Sequence, residues 1–132
     1  MADTLYTTGR QGILDGSISV STANVKCLLA NSNYHPNPAT DNFVSTIGNP
    51  SIVARSGNFT GKSVTGGVFS ADHVIFPALS GQAVFYIVIY VDTGTDTTSR
   101  LIVFFDTALG VPFTPNGGNV ELAWDTNGIF RV

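Results

Sequence analysis

Residues Ala83 to Asp106 read AVFYIVIYVDTGTDTTSRLIVFFD, two unbroken apolar runs around a turn of Gly, Thr and Asp. A strand with one face in water alternates apolar and polar residues. Here alternation puts Phe85, Ile87, Ile89 and Val91 on one face and Val84, Tyr86, Val88 and Tyr90 on the other. The returning strand repeats the pattern, with Leu101, Val103 and Phe105 opposite Ile102 and Phe104. Both faces of this hairpin therefore have to be covered, by the domain's own layers or by another subunit. That requirement points to a structural or interaction role, and nothing comparable points to chemistry.

The chain has 132 residues, a single-domain length able to bury roughly two-thirds of its unfolded surface. Charged residues are 11%, against about 25% in an average soluble domain, so Thr, Ser, Asn and Gly carry the polar surface. The net charge of −3 and six singly scattered basic residues argue against nucleic-acid binding, which needs clustered Lys and Arg. The longest apolar run, Ala83 to Val91, is far short of the roughly 20 residues of a membrane helix. The start, MADTLYTTGR, lacks the charged-then-apolar layout of a secretory signal. Cys27, the sole cysteine, falls in the apolar segment VKCLLA and is expected to be a buried, inert thiol.

Val, Ile, Phe, Tyr and Thr dominate over helix formers, and Glu121 is the only glutamate. Strands are expected at Asn24–Ala30, Ser51–Arg55, around Phe59–Val64, at His73–Phe76, in the central hairpin, at Asn119–Trp124 and at Ile129–Val132. Val25, Cys27 and Leu29 share a face of the first. Thr8–Gly16 is a candidate short helix weakened by Gly9, Gly12 and Gly16. Pro36 and Pro38 make Asn31–Ala39 a loop, after which Thr40 or Asp41 can cap a short helix over Asn42–Ile47. Asn127-Gly128 is a type I′ hairpin signal. About seven or eight strands at intervals of roughly ten residues predict an all-β, antiparallel β-sandwich (jelly-roll or Ig-like) with one or two short helices, spanning 1–132 as one domain.

Candidate chemistry has a plainer account at each position. His35 and His73 stand singly, without the spacing of a zinc site. Asp72 and His73 are adjacent in sequence and on a strand point to opposite faces, which defeats a catalytic triad. Asp92-Thr-Gly-Thr-Asp96 resembles part of a calcium loop but lacks the closing bidentate Glu. Gly61-Lys62-Ser63 lacks the upstream glycine spacing of a phosphate loop, and Asn58-Phe59-Thr60 is a sequon in a chain without an export signal. Trp124 and the tyrosines can form a sugar-stacking platform, although core packing explains Trp124 better. No catalytic, cofactor-binding or metal-binding residues are assigned.

Several segments together resemble small structural proteins of tailed-bacteriophage virions. They are Leu14-Asp15-Gly16, Tyr34-His35-Pro36, Gly61-Lys62-Ser63-Val64-Thr65-Gly66-Gly67-Val68-Phe69, Ile87 to Ile102, and Thr114 to Gly118 with Trp124. The resemblance spans nearly the whole chain. It implies a non-enzymatic virion protein made in the host cytoplasm, with roles ranging from capsid decoration (cement) to head–tail connector or tail component. Coiled-coil heptads and collagen repeats are absent from the sequence, which disfavours a fibre. The leading expectation is a decoration protein that binds the major capsid protein or other virion proteins of an assembled head, as a homo-oligomer in the particle. A carbohydrate-binding module is the alternative from another class. The candidate interface residues are Tyr86 and Tyr90 on the hairpin, with Tyr34 and Pro36 in the loop as a second contact.

Overall fold

The computed structural model describes residues 3–106, 111–124 and 128–131. Among these residues ten short strands, two α-helices and one 3-10 turn make an antiparallel, sandwich-like all-β fold. The strands are β1 (Asp3–Leu5), β2 (Val25–Ala30), β3 (Ile52–Arg55), β4 (Ser63–Thr65), β5 (Val68–Ser70), β6 (Val74–Phe76), β7 (Tyr86–Val91), β8 (Arg100–Phe105), β9 (Val120–Leu122) and β10 (Phe130–Arg131). The helices are α1 (Thr7–Asp15) and α2 (Val44–Ile47). The strand count exceeds expectation because β1 and the β4–β5 hairpin are three-residue elements, too short to show periodicity. Gly66 and Gly67, both at positive φ, close that hairpin as a two-residue turn requires.

The principal sheet has the order β1-β8-β7-β2-β3. Its middle strands are apolar on both faces, and each face is covered by the chain itself. On one side Val25, Cys27, Leu29, Ile87, Ile89, Val103 and Phe105 pack with Phe59, Phe69, Phe76, Leu122, Trp124 and Phe130. These partners come from the two small sheets, β10-β5-β4 and β6-β9, and from nearby loops. On the other side Leu28, Ala30, Val88, Tyr90, Leu101 and Phe104 meet Tyr6, Tyr34, Val44 and Ile47. Of the two ways of covering the ribbon, the domain's own layers are the one realised.

Three details depart from what the residue pattern predicts. In the β7–β8 ladder Ile89 faces Val103 and Tyr90 faces Leu101, so Ile102 is an unmatched bulge residue. The bulge turns Leu101 onto the face of Tyr90, away from Val103 and Phe105. The ladder also stops short of Phe85, which is 37% exposed, while Val84 pairs with Phe113 and joins the Ile87 side. Finally, β9 pairs with β6 and β10 with β5, so these two strands do not form the expected hairpin. Asn127 lies outside the described residues, and Ile129 donates its N–H to the Phe69 carbonyl at 2.7 Å.

Helix α1 forms despite its glycines, and two of them explain its position. Gly9 and Gly12 are buried where the helix crosses β8 at the bulge. Gly16, at φ 86, ends it in the left-handed conformation. Helix α2 is shorter than expected: Phe43 precedes it without a side-chain cap, because Asp41 is engaged elsewhere.

Candidate functional site

The loop between β2 and α2 is pinned by polar contacts. Asn31 donates from Nδ2 to the carbonyl of Pro50 (3.2 Å) and to Gln82 Oε1, and its Oδ1 accepts from the Asn33 N–H. Asp41, 8% exposed, accepts from the Asn37 N–H and the Tyr34 hydroxyl, both at 2.9 Å. Tyr34 in turn accepts from the Tyr6 hydroxyl at 2.6 Å, which ties the loop to the start of α1. Burial raises the pKa of both tyrosines well above the ordinary value, keeping them neutral donors. A buried chain of this kind holds one conformation because breaking any link strands a polar atom.

This pinned loop presents His35 and Pro36 to a groove of about 270 Å³, completed by Tyr86 at the start of β7, Phe104 on β8 and Asp106 just beyond it. Tyr86 packs edge-to-face with Tyr34 (5.9 Å, 78°) and with Phe104 (6.4 Å, 78°). Three of the four interface candidates thus converge: Pro36 and Tyr86, both half-buried, line the groove, and Tyr34 supports it from inside. Tyr90 does not join them. It is 1% exposed in the core beneath this face, and burial raises the pKa of its hydroxyl. His35, Phe104 and Asp106 complete the groove without having been singled out as contacts.

A second, apolar groove of about 270 Å³ lies between the end of α1 and the β4–β5 hairpin, lined by Ile13, Leu14, Val20, Val64, Gly67, Phe69 and Phe130. Leu14 is 70% and Val64 51% exposed on its rim. Sequence reasoning missed this surface. Its signal was an apolar residue next to a helix-ending Asp-Gly pair and another in a turn-rich stretch.

The remaining candidates are satisfied structurally. Asp92 pairs with Lys26 (2.7 Å), and Asp96 takes a two-pronged contact from Arg55 (2.8 Å on each side), so neither carboxylate of the calcium-like loop is open. Lys26 and Arg55 hold these two carboxyls below the usual range. His73 Nδ1 lies 3.5 Å from Glu121 Oε2 on an exposed surface. Lys62 donates to the Ala23 carbonyl, and a strand rather than a helix follows it. Trp124 stacks obliquely with Phe59 (5.6 Å) and Phe105 (6.1 Å) and donates to the Asp72 carbonyl at 3.1 Å, a core residue. Cys27 is fully buried and its thiol pKa is pushed up to about 12 by desolvation. No group of three or more His, Cys, Asp or Glu among the described residues is placed to hold a metal ion. No helix among them is long and apolar enough to cross a membrane. No protein-family model matches the chain, and no curated protein sequence matches it either.

Proposed function

We propose that this chain is a non-enzymatic structural protein of a tailed-bacteriophage virion, and that it decorates the assembled head by docking on the major capsid protein. The observation that carries the proposal is the apolar groove rimmed by Leu14 and Val64. Those side chains lie outside a core that the domain already closes by itself, so their natural use is contact with another surface. Fully burying one such side chain is worth about 1.5–3 kcal/mol. A shell presenting many identical sites multiplies a modest contact through avidity. Ser63, Thr65 and Gly66, exposed beside Val64, carry no charge, which keeps the local desolvation cost of docking low. The motif resemblance set out above supports the same reading.

The test is co-sedimentation of the purified chain with heads assembled without it. Saturable binding at the copy number of the shell lattice, lost in Leu14→Asp and Val64→Asp variants that keep the native circular dichroism, is the expected result. Saturation at a single ring moves the chain to a connector or tail position. Absence of binding to any head or tail assembly overturns the proposal.

A further inference from the structure

We propose that the groove formed by His35, Pro36, Tyr86, Phe104 and Asp106 receives an arginine side chain from a protein partner; this rests on the docking role above and adds the chemistry of a second contact. Asp106 is exposed, and among the described residues its carboxylate has no hydrogen-bond or ion-pair partner. Six other acidic side chains each have one. Asp15 accepts from the Ser17 N–H, Asp41 from Tyr34, Asp72 from Thr60, Asp92 from Lys26, Asp96 from Arg55, and Glu121 faces His73. This carboxylate, with no partner among the described residues, stands in a groove with aromatic walls.

Those walls fit a planar cation. Tyr86 and Phe104 both line the groove and meet at 78°, and Tyr86 is the half-exposed ring of the two. A ring face attracts a cation through its quadrupole. A guanidinium stacks on such a face and at the same time forks two N–H bonds onto a carboxylate. An ammonium attracts both groups as a compact charge but can neither stack flat nor fork onto the carboxylate. A sugar would stack but would leave the carboxylate charge uncompensated. His35, when neutral, adds an acceptor on the loop side. The loop is held by the Tyr6–Tyr34–Asp41 chain, so little ordering is required on binding. The net charge of −3 attracts a basic partner surface at long range.

The experiment is an amide and aromatic NMR titration with N-acetyl-arginine amide, N-acetyl-lysine amide and a methyl hexoside. The arginine compound is expected to shift His35, Tyr86 and Asp106 saturably and more strongly than the lysine compound. Asp106→Asn, an exposed substitution that leaves the fold intact, is expected to weaken that binding by about tenfold or more. No saturable shift, an equal response in Asp106→Asn, or binding of the hexoside in place of arginine overturns the inference. Head co-sedimentation of the same variant separates the two proposals. Arginine binding without head binding refutes the decoration role alone, and head binding without arginine binding refutes this inference alone.

Discussion

Replacing Gly9 with alanine probes how α1 is seated on the principal sheet. A Cβ built there would stand 2.8 Å from Ile102 Cα and 3.2 Å from the Ile102 oxygen, and nearer still to the Leu101 carbonyl oxygen. All three are backbone atoms. They belong to the bulge, where Tyr6 donates to Ile102 (2.8 Å), Leu101 donates to Asn42 (3.0 Å) and Arg100 donates to the Thr8 carbonyl (2.9 Å). The clash can be relieved only by shifting the helix or the ladder. Alanine gains about 1 kcal/mol over glycine in helix propensity. Overpacking against atoms that cannot rotate away costs about 1–3 kcal/mol, with the broken bulge bonds adding about 1 kcal/mol each. Gly9→Ala is therefore expected to lower stability by about 1–3 kcal/mol net. Gly12→Ala is the internal control. Its Cβ meets the Ile18 side chain, Cδ1 at 2.5 Å and Cγ1 at 2.8 Å, and a rotamer change can relieve that. Its cost should stay within about 1 kcal/mol. Urea titrations followed by Trp124 fluorescence and far-UV circular dichroism give both numbers, provided the m value is unchanged. A Gly9→Ala protein as stable as the parent, or less affected than Gly12→Ala, refutes this account of helix seating.

Tyr34→Phe should cost about 1–3 kcal/mol, because it leaves the Tyr6 hydroxyl without its acceptor and takes one of two donors from the Asp41 carboxylate, whereas Tyr6→Phe should cost less; equal losses would contradict the direction of the chain. Cys27 should resist alkylation in the native state at pH 8 and react at once in denaturant, and rapid native labelling would contradict its burial and raised pKa. Asp92 and Asp96 have folded-state pKa values below 3.8, so their contribution is present above that value and lost as pH falls through the lower folded ones. Both pairs are partly solvent-screened and worth about 0.2–1 kcal/mol each. Stability should thus decline below about pH 4, with a shallower decline in Asp96→Asn, and identical pH slopes in urea titrations would contradict this.

Much of the fold could be read from strand chemistry. The doubly apolar hairpin, the shared face of Val25, Cys27 and Leu29 and the loop at Pro36 and Pro38 stand where residue pattern placed them, and the helix expected over Thr8–Gly16 runs over Thr7–Asp15. What pattern could not supply follows from the same apolar richness. When both faces of β8 are apolar, a one-residue bulge leaves no mark in the alternation, so the facing of Leu101 was invisible. The glycines of α1 count against a helix in propensity, yet close approach to β8 is what they provide. Pairing of β10 with β5 depends on contacts between residues some sixty apart, and the local Asn-Gly signal says nothing of them. The groove was half legible. Tyr34, Pro36 and Tyr86 stood out as aromatic and loop residues, but Asp106 drew notice only beside six other acids that each have a partner. Tyr90 looked the same as Tyr86 in sequence, and only the position of the covering layer separates the buried ring from the half-exposed one.

The apolar ribbon of β7 and β8 is shielded on both faces within one copy of the chain. Native-state hydrogen exchange on the isolated monomer tests it directly. Amides of Ile87 to Tyr90, paired on both sides at the centre of the sheet, should exchange only through global unfolding and at a rate independent of protein concentration. Fast exchange there in the monomer, with protection appearing only as subunits associate, would show that another copy supplies the missing cover.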